Sequence, residues 1–240
     1  MFRFKQFSIN QDQCGMKISS VATVLGGLIE KQNAETILDI GTGTGLLSLM
    51  LAQRITAHIT AIEIDTAAAN QAKQNFLNSP WRNRLSLIEA DILTLLPEKS
   101  QDAFPRSSFD LIVCNPPFFQ KKVTSTNPQR NLARHTETLT PEALAQIGQA
   151  LLADEGEYWL LIATETLGDY CAAFQSQGFF LTLQYDIKDN PKTDKTTCNI
   201  LRFQKTVAST LPPISFYLRD SAHQHSPQVR ALLKEYLIVF

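Results

Sequence analysis

The chain has 240 residues, of which 44% are hydrophobic and 19% charged, and its formal net charge is −1. That balance fits one large α/β domain with a sizeable core, and it excludes a globally basic nucleic-acid binder, so any such surface must be local. The four cysteines are scattered with no C-x-x-C pair, no run approaches the ~18 apolar residues of a membrane span, and the N-terminus lacks a signal-peptide core, so the expectation is a cytoplasmic protein with reduced thiols, no metal and no membrane contact.

Residues 1–32 precede the first clear α/β unit and are read as an N-terminal extension of a domain spanning 33–240. Phe2, Phe4 and Phe7 interleave with Arg3, Lys5 and Gln6, which fits either a lid over the cofactor or substrate site with a basic outer face, or an arm packed on the domain. Ser19–Glu30 has helical length, although Gly26-Gly27 argues against a regular helix there.

Ile37–Ile40 reads as a buried strand that runs into Gly41-Thr42-Gly43-Thr44-Gly45 and a helix from Leu46 to Arg54. Strand, glycine turn and helix open a nucleotide-binding unit: glycine lets the backbone approach a ligand, and the helix start offers unpaired N–H groups. The pattern is Asp-x-Gly-x-Gly-x-Gly rather than the Gly-x-Gly-x-x-Gly of dinucleotide enzymes. Asp39 at the strand end faces a ligand carrying a positive amino group, which S-adenosylmethionine has and NAD lacks.

His58–Asp65 forms the second strand. Glu63 lies 24 residues beyond Asp39, near the spacing of a ribose-binding acid, and Asp65 can cap the Ala-rich helix from Thr66 to about Leu77. Leu85–Ile88 is a third strand, followed by Glu89-Ala90-Asp91-Ile92. Phe109–Cys114 is a fourth, ending at Asn115-Pro116-Pro117-Phe118-Phe119, where two prolines forbid further ladder bonds. This corner is rich in acceptors. The Asn115 side-chain carbonyl and the Pro116 backbone carbonyl can both accept hydrogens from a planar amino group, and Phe118 can stack on the ring that carries it.

Residues 120–138 hold Lys121, Lys122, Arg130, Arg134 and His135 against the single acid Glu137, the charge bias of a flap for nucleic-acid phosphates. Thr140-Pro141-Glu142 starts a helix to about Leu152. Tyr158–Ile162 is the fifth strand, a helix near Gly168–Gln177 ends at Gly178, and Phe179–Ile187 with Asn199–Phe203 form a closing hairpin. A tail with Ile214–Asp220 and a helix near Pro227–Leu237 completes the chain.

The glycine turn resembles the first motif of Rossmann-like methyltransferases, and Asn115-Pro116-Pro117-Phe118 resembles the N-P-P-[FYW] motif of enzymes that methylate adenine N6, guanine N2 or glutamine N5 with S-adenosylmethionine. Phe4-Lys5-Gln6-Phe7, Cys14-Gly15-Met16-Lys17, Ala133-Arg134-His135 and Leu218-Arg219-Asp220 are similar to the tRNA adenine-N6 methyltransferases that modify an adenine beside the anticodon of a valine tRNA. Members continue Met-Lys with Gly-Thr-Asp, where this chain has Ile18-Ser19-Ser20.

The resemblance implies a class I methyltransferase fold, with a seven-stranded, mostly parallel sheet between helices on both faces. It implies S-adenosylmethionine held by Asp39, Gly41, Thr42, Gly43, Gly45, Glu63, Ile64, Asp91, Ile92 and Asn115, with Asp91 on the adenine amino group and Ile92 beside the ring. Asn115, Pro116, Pro117 and Phe118 are the implied catalytic residues, tRNA the partner, and a monomer the favoured state. A ribosomal RNA guanine-N2 enzyme and a protein glutamine-N5 enzyme share the motif. The latter resembles chains with a substantial helical domain before the first motif, and only 38 residues precede Asp39 here.

Overall fold

The computed structural model describes residues 1–14, 17–97, 104–117, 139–206 and 211–240. An eight-stranded sheet runs through them in the order β10-β8-β9-β7-β6-β3-β4-β5. Its parallel half comprises β3 (Thr36–Ile40), β4 (His58–Glu63), β5 (Leu85–Glu89), β6 (Phe109–Cys114) and β7 (Leu152–Ala163). β8 (Phe180–Lys188) and β9 (Thr196–Gln204) are the antiparallel hairpin, with β9 on β7. β10 (Ile214–Tyr217) pairs parallel to β8. It is the strand beyond the expected seven: Pro212-Pro213 breaks the chain just ahead of it, and a four-residue run carries too little alternation to be read as part of a sheet.

Strand residues alternate between two cores, as the period of two requires. On one side Ile37, Leu111, Val113, Trp159 and Leu161 meet α1 (Ser20–Leu28), α2 (Leu46–Arg54), α3 (Thr66–Leu77) and α6 (Pro227–Leu233). On the other Leu38, Ile40, Ile112, Leu160 and Ile162 meet α4 (Pro141–Leu151) and α5 (Leu167–Ser176). The helix starts follow their sequence signals: the side chains of Asp65, Thr140 and Ser226 accept from Ala68 N, Ala143 N and Val229 N. At the other end of α5, Gly178 has φ +82°. All five parallel strands end on one edge, so Ile40, Glu63, Glu89, Cys114 and Ala163 deliver their following residues to the same side of the molecule.

The N-terminal segment forms β1 (Phe2–Arg3) and β2 (Ser8–Ile9), an antiparallel pair whose buried Phe4 and Phe7 stack at 4.3 Å and reach Leu237 and Trp81 respectively. Residues 10–13 then run along α3. Asn75 accepts from Asn10 N at 2.9 Å and donates to Asn10 O and Thr44 O, while Gln71 accepts from Gln13 N and donates to Asp12. The segment therefore packs on the domain along its first half and reaches the glycine turn at its second, where Cys14 Sγ stands 3.8 Å from the Cβ position of Gly43.

Gly26 and Gly27 lie inside α1 because the helix crosses its neighbours there. A Cβ on Gly26 would meet Met50 Sδ at 2.8 Å, and one on Gly27 would meet Leu232 Cγ at 2.9 Å. Intrinsic propensity favours alanine over glycine by about 1 kcal/mol, but overpacking a filled core costs about 1–3 kcal/mol, so packing wins. Gly27→Ala is expected to lower stability in urea unfolding; a rise in midpoint would show that the α1–α6 contact yields freely.

Candidate active site

The site begins with a buried carboxylate. Asp39 ends β3 on the α2 face with no solvent exposure. Its Oδ2 accepts from Thr42 Oγ1 at 2.7 Å, from Ser48 Oγ at 2.6 Å and from Ser48 N at 3.1 Å, tying the strand end to the glycine turn and the first turn of α2. Its Oδ1 is buried with no partner among the described residues. Burial pushes the carboxyl above its ordinary value, against the opposing hydrogen bonds from Ser48 and Thr42. An acid whose value is raised by folding favours the protonated form, so its cost is absent at low pH, grows as pH rises through 3.8, and is complete above the raised value. The charged form is therefore the costly one in this fold, and a cation bound nearby would offset that cost.

The turn follows from glycine conformation. Gly41, Gly43 and Gly45 have φ of +68°, +57° and +84°. A Cβ on Gly41 would meet nothing within 4 Å, because it would project into open space; one on Gly45 would strike Phe76 Cε1 at 2.4 Å. Two glycines in one motif thus serve different needs, one leaving open space over the turn and the other allowing close packing against α3.

Glu63, at the end of β4, closes the turn from the side. Its Oε2 accepts from Gly43 N at 2.8 Å, and its Oε1 accepts from Ile64 N and Asp65 N at 2.9 and 3.0 Å. A carboxylate has about four acceptor positions. One acceptor position therefore remains open, and accepting from a second donor requires the bond from Gly43 to open. Asp91, half-buried after β5, uses one oxygen to accept from Leu93 N at 2.9 Å and so fixes the turn that carries Ile92.

Gly41, Glu63, Ile64, Asp91 and Ile92 line a single cleft at the strand edge. Ile64 is 49% exposed there, whereas Ile92 is buried, so the cleft has an apolar wall available to a flat ring. Thr42, Gly43, Gly45 and Asp39 do not line it; they build it from behind. Ile40, Ile62, Ala90 and Leu139 complete its lining and were not anticipated. Leu139 carried a sequence signal, since it stands just before the Thr140 cap with Leu144 a turn inside the helix, the spacing of a hydrophobic staple. Gln71 and Asn75 were missed too; two amides four apart on the buried face of an Ala-rich helix mark a polar partner across the interface.

The acceptor corner lies beside this cleft. β6 pairs with β3 so that Cys114 stands opposite Ile40, and Asn115 therefore leaves the sheet next to Gly41. Burial raises the Cys114 thiol, and Asp39 and Glu63 add to the rise, which places all three in one electrostatic neighbourhood. Pro116 is buried and Pro117 exposed. No hydrogen bond ties up the half-buried Asn115 side chain among the described residues. Phe118, Lys121, Lys122, Arg130, Arg134 and His135 lie outside the described residues.

This geometry has known relatives. Residues 14–167 match the family model described as "Methyltransferase small domain". A tRNA1(Val) (adenine(37)-N6)-methyltransferase of Bacteroides thetaiotaomicron is 36% identical over 99% of this chain and 97% of its own length. One of Shewanella baltica is 43% identical over 69% of this chain and 68% of its own. The chain belongs to the tRNA1(Val) (adenine(37)-N6)-methyltransferase family. Among solved structures, a predicted O-methyltransferase from Agrobacterium tumefaciens superposes with a TM-score of 0.68 at 19% identity, covering 89% of this chain and 95% of that one. A precorrin-6y C5,15-methyltransferase from Geobacter metallireducens gives 0.54 at 16%, covering 83% and 94%. These two share the fold of this methyltransferase, a mostly parallel sheet between helices.

The two glycines separate structure from binding. Gly45→Ala is expected to destabilise this methyltransferase by about 2–4 kcal/mol, from left-handed strain and the clash with Phe76. Gly41→Ala costs only the strain, about 1–2 kcal/mol, yet puts a methyl group into the cleft and should abolish cofactor binding. Chemical unfolding and calorimetry with S-adenosylhomocysteine on both variants check this; undiminished affinity in Gly41→Ala would remove that cradle from the cofactor site.

Proposed function

We propose that the chain transfers a methyl group from S-adenosylmethionine to N6 of an adenine in the anticodon loop of a tRNA, valine tRNA by the names of its relatives. The observation that carries this reading is the register of β3 with β6, which sets an acceptor-rich Asn-Pro-Pro corner beside the glycine-lined cleft. The relatives are named for adenine N6, which favours that acceptor over guanine N2 or glutamine N5.

The residues present fit the cofactor. Gly41 leaves open space where a side chain would stand, and Asp39 Oδ1 is a buried carboxyl oxygen with no partner among the described residues. Asp39 would compensate the amino group, Glu63 would accept from ribose, and Asp91 would accept from the adenine amino group while Ile64 and Ile92 cover the ring. When bound, S-adenosylmethionine supplies an electrophilic sulfonium methyl. Asn115 Oδ1 and Pro116 O accept the two hydrogens of the target amino group and aim the nitrogen lone pair at that methyl. Their interaction strengthens as the nitrogen becomes positive, so it acts on the transition state more than on the ground state. The proton then leaves from the methylated ammonium, which is acidic enough to give it to water. Phe118 would stack on the base once it leaves its own stack, and Lys121, Lys122, Arg130, Arg134 and His135 would hold phosphates around it.

Asn115→Ala should leave the fold and tRNA affinity in place and reduce kcat by roughly 100- to 1000-fold, the scale of losing one preorganised hydrogen-bonding group. The assay is formation of N6-methyladenosine on unmodified tRNA, read by mass spectrometry. N2-methylguanosine from the wild type would reassign the acceptor, and full activity in a folded Asn115→Ala would remove the corner from catalysis.

A further inference from the structure

A second groove lies between the β1–β2 hairpin and the last turn of α3, enclosing about 580 Å³. Arg3, Lys5, Gln6, Ser8 and Asn78 line it, and no acidic side chain does. The surrounding sequence is biased in the same way. Residues 1–11 contain Arg3 and Lys5 without an acid, and residues 66–88 contain Lys73, Arg82 and Arg84 without an acid, in a chain whose net charge is −1. Asp12, the first carboxylate after the hairpin, is held by Gln71 Nε2 at 2.8 Å.

The cations are available. Arg3 and Arg82 are exposed and have no carboxylate partner among the described residues. Lys5 donates to Lys234 O, which spends one of its three hydrogens and none of its charge. Arg82 follows Trp81, whose ring packs edge-on at 5.6 Å against the groove residue Phe7, so it stands near the groove without lining it. Phe2 lies between the lining residues Met1 and Arg3; its ring stands 4.8 Å from that of the buried Phe4, and it is 36% exposed. An acid-free groove lined by one guanidinium group, one ammonium group and amide side chains, with a second guanidinium and a partly exposed ring nearby, has the composition of a single-stranded nucleic-acid site, where phosphates meet cations and a base meets an aromatic face.

We propose that this groove binds a segment of the RNA substrate away from the target base, with phosphates on Arg3, Lys5 and Arg82 and a base on Phe2. The assignment rests on the tRNA reading above. It gives the residues of the hairpin distinct roles: Phe4 and Phe7 are buried and anchor it, Arg3 lines the groove, and Phe2, packed on Phe4, keeps a partly exposed ring beside it. It also places the RNA against the residue that supports the cofactor turn, since Asn75 borders the groove and donates to Thr44 O at 2.9 Å.

The test is binding of unmodified tRNA transcript to the full chain across a salt series, with steady-state methylation alongside. Arg3→Glu/Arg82→Glu should lower affinity at least tenfold and flatten the slope of log affinity against log salt by about 1 to 2, while KM for tRNA rises and kcat and S-adenosylhomocysteine affinity hold. Phe2→Ala should weaken binding severalfold with the slope unchanged, because stacking is not an ionic contact. Should the double reversal unfold the hairpin, Arg3→Gln/Arg82→Gln makes the same measurement with about half the effect. Wild-type methylation of tRNA with unchanged affinity and slope in the variants overturns the groove and leaves the tRNA reading standing. A wild type that neither binds nor methylates tRNA overturns both.

Discussion

One oxygen, Asp39 Oδ2, accepts from Thr42 Oγ1, Ser48 Oγ and Ser48 N, and the rest of the site depends on it. The three bonds fix the end of β3, the path of the glycine turn and the first turn of α2 relative to one another. They consume one half of a buried carboxyl group and leave the other half without a partner among the described residues. Burying a charge in this state is unfavourable. Three well-directed donors offset part of that cost, and a cation near the other oxygen would offset more.

Adjacency in the sheet converts that local device into a reaction centre. β3 has β4 on one side and β6 on the other, so the glycine turn has Glu63 on one flank and the Asn115-Pro116 corner on the other. Glu63 and Asn115 are 52 positions apart in sequence, yet the ladder brings both strand ends to Gly41. Rigidity there is supplied locally: two prolines set the backbone at the corner, and Asp65, Asp91 and Thr140 cap the turns and helices around it.

Much of this was legible in the sequence, because short-range chemistry wrote it. The Asp-x-Gly-x-Gly-x-Gly turn, the caps at Asp65 and Thr140, and the stop at Pro116 each depend on residues within a few positions. What was not legible depends on partners distant in sequence. Gly26 and Gly27 read as helix breakers until Met50 and Leu232 are placed against them. Gln71 and Asn75 read as ordinary helix polar residues until the N-terminal segment lies over them. β10 needed its neighbour β8 to become a strand. The ribose acid was read from spacing alone, and spacing could not show that three backbone N–H groups already occupy Glu63.

The claim that Asp39 both builds the turn and attracts the cofactor is most directly tested by a thermodynamic cycle measured by calorimetry at neutral pH. Wild type and Asp39→Asn are titrated with S-adenosylhomocysteine, which carries the amino group, and with 5′-methylthioadenosine, which lacks the amino-acid portion. An asparagine can keep its oxygen on Thr42 and Ser48, so the turn should survive. The account predicts a loss of about 10- to 100-fold for the amino-bearing ligand in Asp39→Asn, the scale of one interaction with a charged group, and no change for 5′-methylthioadenosine. Equal losses for both ligands would contradict it, and would leave Asp39 as a structural residue alone.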